Sequence, residues 1–325
     1  MSIYTFLKDT AADDTGFVGD TCAPLPDQRD LVLRAGESWV PGAYEGIILR
    51  STQRIKRSAA FNFFFAQTIR RQIHAPTEAR RAKIERTICE NSAIAMIDPL
   101  LSFLHKSGPE RSAVRDTALL LVKESEKREL VKVGIALLGQ YGETEDKALL
   151  RLLGSHEEFA MYAAVAVRNL LPQNEANAFL LELAGRLHGW GKIAVIYELN
   201  YSLQESRDWV LRRGCKNDIA LSYLANVCAI KGKMADALTA VQASEALPDE
   251  ELLRGICDIF SGLLEEHPTN DGISDYPDAY RASAAFCGIA AAHPELTEQD
   301  CRIPRILKAL EKHGLNRELP AAQQR

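Results

Sequence analysis

A glycine-anchored pattern recurs three times in the middle of the chain and limits what the chain can fold into. The anchors are Gly154, Gly185 and Gly214, which lie 31 and 29 residues apart. Each follows an apolar helical segment, and a large apolar residue stands five positions later. The pattern predicts a short helix, a glycine-bearing turn and a second helix in each unit. Because one such unit cannot bury its apolar face alone, neighbouring units must stack on it.

Helical periodicity continues through most of the chain after Glu110. Apolar residues recur at helical spacing, as in Arg128–Tyr141, and the connections between such segments are short enough for antiparallel helix pairs. Strand signals are nearly absent there, with no sustained alternation of apolar and polar residues. The sequence therefore predicts an all-α fold, arranged as a right-handed α-solenoid of stacked helix pairs.

The chain is predicted to consist of three segments. Residues 1–45 are punctuated by glycine and proline, which predicts an irregular N-terminal arm laid over the first helices. A functional site carried by this loop-rich segment is the alternative interpretation. Residues 46–314 are predicted to form the helical-repeat domain, and residues 315–325 a polar C-terminal tail.

A basic segment, Arg50–Arg86, holds ten Lys or Arg residues against two Glu. The aromatic cluster Phe61–Phe65 lies within it, and interleaved basic and aromatic residues can bind nucleic acid by charge and stacking. We favour the alternative, in which the phenylalanines belong to the core and the arginines form a solvated face. The arginines that could contact a nucleic acid or an acidic partner are Arg54, Arg57, Arg70, Arg71, Arg80 and Arg81.

The tetrapeptide Gly189-Trp190-Gly191-Lys192 invites comparison with a phosphate-binding loop. A P-loop requires G-x-x-x-x-G-K-[ST] after a strand, but Arg186 replaces the first glycine and Ile193 the hydroxyl residue. A dinucleotide fingerprint fails as well, because Ala194 takes the third glycine position and no strand precedes. The glycines are therefore predicted to form a tight turn, with Trp190 packed between repeats.

The second helices of the repeats are predicted to form an inner surface that contacts a partner. The residues assigned to this surface are His188, Trp190, Lys192, Tyr197, Tyr223 and Asn226. His188 and Lys192 are four residues apart, so they are expected to share one helical face. That face is either a polar contact site or simply solvated.

Sequence patterns typical of metal sites, cofactor sites and common catalytic sites are missing. The seven cysteines are scattered without a C-x-x-C pair, which favours a reducing cytoplasm. No two histidines are four residues apart, and no G-x-S-x-G elbow is present. We predict no metal, cofactor or catalytic residue. We also predict no membrane span, because no apolar run reaches about 20 residues.

Charge is distributed unevenly along a chain whose net charge is -5. This acidic balance opposes a general nucleic-acid coat, which needs an excess of Lys and Arg. Residues 231–300 hold fourteen acids against four bases, in contrast to the basic segment. The asymmetry predicts electrostatic steering of a partner, or docking of one copy on another. The alternative is an evenly solvated charge that only aids solubility.

Helix pairs of about 30–40 residues, with Leu-rich first helices and small residues midway along the second, resemble HEAT-type α-solenoids. The segment Lys132–Gly139 is also similar to that family. The resemblance covers about residues 76–314 and implies an architecture. The copies lack the proline expected in the first helix, so armadillo-like or other helical repeats stay open. Leu187–Asn200 resembles uncharacterised bacterial helical-repeat proteins sometimes labelled limonene hydroxylases, but no haem-thiolate, flavin or nicotinamide signature carries that activity over.

The sequence thus predicts a non-enzymatic, bacterial, protein-binding scaffold or adaptor whose partner is unidentified. One specific version is an immunity or antitoxin-type protein, whose acidic surface would block a basic toxin. The first alternative is a nucleic-acid-binding helical-repeat protein that uses the basic segment. The second is a helical-repeat enzyme with an active site assembled across repeats.

Overall fold

The regular secondary structure of the chain is helical. A computed structural model describes residues 1–11, 16–31, 37–50, 58–244, 247–265 and 270–315. Within these residues the only pairing of extended backbone is an isolated antiparallel bridge between Ala11 and Val18. The predicted all-α class is confirmed for this part of the chain. None of its helices is both long and apolar enough to cross a bilayer.

The chain divides into two compact units, Met1–Glu198 and Leu199–Arg325. The boundary falls inside the predicted repeat domain 46–314. The helices of the first unit are α1 (Ile3–Asp9), α2 (Ala43–Arg50), α3 (Ala59–His74), α4 (Glu78–Asn91), α5 (Ile97–Ser107), α6 (Arg111–Glu124), α7 (Arg128–Tyr141), α8 (Lys147–Gly154), α9 (Ala160–Leu170), α10 (Gln173–Arg186) and α11 (Trp190–Glu198). Those of the second unit are α12 (Gln204–Trp209), α13 (Ser222–Lys231), α14 (Met234–Ser244), α15 (Glu250–Leu263), α16 (Ala279–Ala292), α17 (Leu296–Gln299) and α18 (Ile303–Lys312).

Helix α7 lies in the core of the first unit, and its predicted bounds agree with the structure. Glycines let its neighbours approach closely on two sides. A Cβ atom on Gly134 would lie 2.7 Å from Val122 of α6, and one on Gly139 would lie 2.7 Å from the backbone of Ala166 in α9. Any larger residue at these positions would push the helices apart.

Hydrogen bonds from backbone amides of the N-terminal arm join it to the helices of the first unit. It contains α1, whose Ile3 and Leu7 are buried, and a short 3-10 helix, Pro26–Asp30. The Ile3 amide donates to the Ser125 carbonyl at 2.9 Å, and the Val18 amide donates to Ser155 Oγ at 3.0 Å. The arm therefore packs against the ends of α6 and α8.

The repeat glycines lie at helix ends and not in the turns predicted for them. Gly154 closes α8, Gly185 lies in the last turn of α10, and Gly214 ends a π-helical segment, Val210–Gly214. None of them has a positive φ. A Cβ on Gly154 would lie 2.7 Å from Cβ of Ala163 in α9. At that position glycine permits close helix packing, which explains its presence without a left-handed turn.

Helix α4 ends at Asn91. Ser92 follows with a φ of 60°, a left-handed value that breaks the helix. Pro99 lies in the first turn of α5. Proline is tolerated there because the first amide groups of a helix have no partner within it.

The second unit has a core of its own. The rings of Phe260 in α15 and Phe286 in α16 lie 5.0 Å apart. Near the start of α18, the guanidinium of Arg302 pairs with the carboxylates of Asp258 and Asp300. Burial, aromatic packing and ion pairing are thus all present within residues 199–315.

Candidate functional site

A buried ionic cluster brings six charged side chains together in the first unit. Its members are Asp27, Glu45, Arg128, Glu129, Lys132 and Glu158. The ammonium of Lys132 is fully buried and lies 2.5 Å from Glu45, 2.7 Å from Glu129 and 2.7 Å from Glu158. Burying a charge is costly unless it is paired, and here three carboxylates surround one lysine.

Each member is positioned by local structure. Arg128 and Lys132 share one face of α7 because they are four residues apart. Asp27 stands in the first turn of the 3-10 helix Pro26–Asp30, and Glu45 in the first turn of α2. Glu158 precedes α9. The N-terminal arm therefore supplies residues to the cluster, which none of the sequence patterns indicated.

The Arg128 guanidinium links the arm to α7. Its Nη2 donates to Asp27 Oδ1 at 2.7 Å, and the Arg128 amide donates to Asp27 Oδ2 at 2.8 Å. The guanidinium also lies over the ring of Trp39, 5.0 Å from its centroid. Trp39 Nε1 in turn donates to Glu158 at 2.9 Å. The network joins residues from four parts of the chain.

Burial and neighbouring charges shift the pKa values of Glu45 and Glu158 in opposite directions. Burial raises the pKa of Glu45 above its ordinary value, although Lys132 opposes the rise. Burial also acts to raise the pKa of Glu158, but Lys132 and Arg128 outweigh it and the pKa is lowered. The charged form of Lys132 is favoured strongly, because Glu158, Glu45 and Glu129 outweigh its burial and raise its pKa. Glu45 therefore holds a proton more readily than Glu158.

Three of these carboxylates have the spacing of a cation site. One oxygen each of Glu45, Glu129 and Glu158 lies within 4.8 Å of the others. Carboxylate oxygens suit hard cations such as Mg²⁺ and Ca²⁺. The Lys132 ammonium, however, already lies within hydrogen-bonding distance of all three. The Lys132 ammonium therefore takes the place that a metal cation would have among these carboxylates. Its pair with Glu45 connects the arm to α7.

The Gly189-Trp190-Gly191-Lys192 loop binds an anion that belongs to the chain itself. The Glu157 carboxylate is buried and accepts from the amides of His188 and Gly189 at 2.7 Å each, and from the Gly191 amide at 2.5 Å. Amides at the start of a helix commonly bind anions in this way. The amides of this loop are arranged as they would be to bind a phosphate, but the Glu157 carboxylate occupies that position.

The six residues predicted for partner binding are not all at the surface. Trp190 and Lys192 are 8% and 7% exposed, so a protein partner cannot reach them in this conformation. His188 is exposed in the loop before α11, where helical spacing does not apply, so its expected shared face with Lys192 is not formed. Tyr197 is exposed on α11. Tyr223 and Asn226 are half-buried on α13 in the second unit.

Trp190 packs against the N-terminal arm and α2. A Cβ atom on Gly42 would lie 3.2 Å from the Trp190 Cβ, and one on Gly46 would overlap the indole ring. Gly42 of the arm and Gly46 of α2 therefore leave the space that the indole occupies. The prediction of an anchor between repeats placed this side chain correctly in the interior, but did not identify this neighbour.

An aromatic–basic groove lies along α3 and α4. It has a volume of about 400 Å³ and is lined by Phe61, Phe63, Phe64, Phe65, Gln67, Thr68, Arg71, Lys83, Ile84 and Thr87. Phe65 is buried as predicted, but Phe63 and Phe64 are 51% and 68% exposed. The prediction that the whole phenylalanine run belongs to the core is wrong, because helical periodicity turns only part of the run inward.

The six arginines predicted to contact a partner differ in their exposure and in the groups they already contact. Arg54 and Arg57 lie outside the described residues. Arg80 donates to the carbonyls of Arg71 and Ala75, and Arg81 pairs with Glu124 at 3.4 Å. Arg70 is half-buried, whereas Arg71 is exposed in the groove. Fewer of these cations are available to a partner than the sequence count suggested.

A second cavity, here called the α7 cavity, lies beside the start of α7 and also has a volume of about 400 Å³. Its lining residues are Asp27, Leu31, Trp39, Tyr44, Cys89, Ser92, Lys127, Arg128 and Glu129. Three members of the buried ionic cluster therefore form part of its wall.

Comparisons with known protein families, curated proteins and solved structures find no match to this chain.

Proposed function

We propose that this chain is a non-enzymatic, protein-binding scaffold or adaptor, and that the aromatic–basic groove is its contact surface. The observation that carries the proposal is the exposure of Phe63 and Phe64, whose rings lie 5.8 Å apart in an edge-to-face arrangement. Exposed clusters of large apolar residues mark interaction sites, and aromatic and Arg residues are enriched among those that dominate binding.

The groove fits an amphipathic helix that carries acidic residues. A groove between two helices accepts the apolar face of a third. Arg71 and Lys83 line it, and neither has a carboxylate within ion-pairing distance among the described residues. Both cations are therefore available to acidic side chains at the edge of a bound helix.

A binding role is also supported by the chemistry of the candidate nucleophiles. Burial raises the pKa of the Cys89 thiol to about 11 and that of Cys257 to about 12. Such thiols are protonated at neutral pH and are poor nucleophiles. The carboxylates around Lys132 are engaged with the chain's own cations and amides, which favours a structural role over catalysis.

We also propose that the helices are arranged as a solenoid. The helix–turn–helix units α8–α9 and α10–α11 support a right-handed α-solenoid of HEAT-like pairs. The free cysteines of the described residues support a reducing, cytoplasmic location. The nucleic-acid alternative is weaker, because Arg80 and Arg81 are engaged within the chain.

An affinity capture from the native host tests the proposal when it compares matched surface variants. Full-length protein is expected to capture a partner that the Phe63→Ser/Phe64→Ser double variant loses. Tyr280→Ser, which removes an exposed aromatic residue from α16, should retain that partner. Circular dichroism of all three proteins checks that the fold is intact.

The captured partner must also show the expected chemistry. A synthetic acidic helix from that partner should bind the wild-type protein, and neutralising its acidic residues should weaken binding. Capture that is the same for the double variant would refute the groove. Binding of a single-stranded oligonucleotide at physiological salt, lost in the double variant, would support the nucleic-acid function instead.

A further inference from the structure

The α7 cavity is large enough for a small organic molecule. Its volume of about 400 Å³ falls within the range of ligand-binding cavities, about 300–1,000 Å³. Apolar and aromatic surface comes from Leu31, Trp39 and Tyr44. Tyr44 is 37% exposed, so its ring is accessible from solvent. Aromatic walls of this kind bind both apolar groups and cations.

The buried ionic cluster makes the charge beside the cavity slightly negative. Arg128 lines the cavity, but Asp27 pairs with it at 2.7 Å and Glu158 lies 3.7 Å away. The buried ionic cluster holds four carboxylates against the two cations Arg128 and Lys132. The wall itself is balanced, with Asp27 and Glu129 against Lys127 and Arg128. The excess of one carboxylate comes from Glu45 and Glu158 behind the wall, which face Lys132.

One carboxylate is accessible from the cavity. The Glu129 side chain is 17% exposed, whereas those of Asp27, Glu45 and Glu158 are 6% exposed or less. The pKa of the nearby Cys89 thiol responds to the charges around it. Its pKa is raised by burial first, and then by the negative charges of Glu85 and Glu129. Glu129 Oε1 faces Lys132 and Oε2 accepts from the Ala93 amide, so a cationic group would meet the remaining lone pairs of this carboxylate.

Ser92 adds a strained residue and an unsatisfied hydroxyl to the same wall. Its φ of 60° is uncommon for a residue other than glycine. Its Oγ is buried and has no hydrogen-bond partner among the described residues. Buried hydroxyls are normally paired, so this oxygen can accept a hydrogen bond from a ligand N–H. Backbone strain of this kind also clusters at binding sites.

We infer that the α7 cavity binds a small organic amine, whose ammonium group lies between Glu129 and Ser92 and whose aromatic or alkyl body lies against Trp39 and Tyr44. The site is separate from the aromatic–basic groove, so either proposal can fail without the other.

Three probes of matched shape test the charge preference on the full-length protein. They are phenethylamine, phenethyl alcohol and phenylacetate, which are positive, neutral and negative at neutral pH. Titration calorimetry is expected to show phenethylamine binding about tenfold more tightly than either comparator. Tighter binding of phenylacetate, or no binding of phenethylamine, would overturn the inference.

Variants then locate the site. Glu129→Gln should weaken phenethylamine about tenfold, whereas Glu124→Gln on the exposed end of α6 should leave its affinity unchanged. Glu129 also contacts Lys132, so circular dichroism must show that the variant is folded. If it is not, Ser92→Gly decides the question, since glycine tolerates the positive φ and the substitution removes the hydroxymethyl group that carries the acceptor oxygen. Unchanged affinity in Ser92→Gly, or in a folded Glu129→Gln protein, would overturn the assignment.

Discussion

At the scale of single residues, Lys132 shows how a tertiary contact changes the interpretation of a sequence. It stands within the apolar run Leu130–Leu138, and its side chain is fully buried. A lysine inside an apolar helical stripe is a recognisable signal, but its partners Glu45 and Glu158 come from distant positions. The sequence could therefore mark Lys132 as unusual, but could not identify the acids that stabilise it.

Lys132→Met is expected to lower the free energy of unfolding by about 3–5 kcal/mol, because it leaves buried carboxylates without their cation. The matched control is Lys147→Met, which removes a partly exposed pair with Glu175 at 3.9 Å and should cost about 0–1 kcal/mol. Urea denaturation followed by circular dichroism measures both. Equal losses in the two variants would show that the cluster does not stabilise the fold.

At the scale of secondary-structure elements, the limits of a helix are predictable where local sequence sets them. Apolar periodicity and a following Gly142 were enough to predict α7 as Arg128–Tyr141. The start of α9 at Ala160 is not set in this way. The preceding residues are held by distant groups instead: the Glu157 amide donates to the Thr21 carbonyl at 2.9 Å, and the Glu157 carboxylate accepts from the loop before α11.

The packing of α2 on α11 predicts opposite outcomes for one substitution at two helical glycines. Gly46→Ala places a methyl group against the Trp190 indole and should destabilise the protein by about 1–3 kcal/mol. Gly185→Ala meets no atom within 4 Å. It should stabilise the protein by about 0.5–1 kcal/mol through the lower entropy of the unfolded chain. Thermal unfolding of both variants checks this contrast, which changes of the same sign would contradict.

At the scale of the whole molecule, the division after Glu198 was not visible in the sequence. The glycine pattern runs through it, with Gly185 in the first unit and Gly214 in the second. Local periodicity describes each helix, but it does not say which helices share a core. The ion pairs that we describe each lie within one unit, as in the buried ionic cluster and around Arg302.

Fragments 1–198 and 199–325 are therefore expected to fold separately. Each contains its own buried apolar residues and its own ion pairs, which is what an independent domain requires. Circular dichroism should show helical spectra for both fragments and a cooperative thermal transition for each. A fragment that is helical only when mixed with the other would show that the units share one folding reaction.

The sequence by itself determined the all-α class and the position of most helices, because helical periodicity is set by residues three and four apart. It also excluded a P-loop at Gly189–Lys192, since that motif depends on local spacing. Only the tertiary structure decided what the loop binds and which charges are buried. Arg128 and Asp27 are 101 residues apart, and Lys132 and Glu45 are 87 apart. Contacts over such separations depend on how the arm packs against α7, which no local pattern encodes.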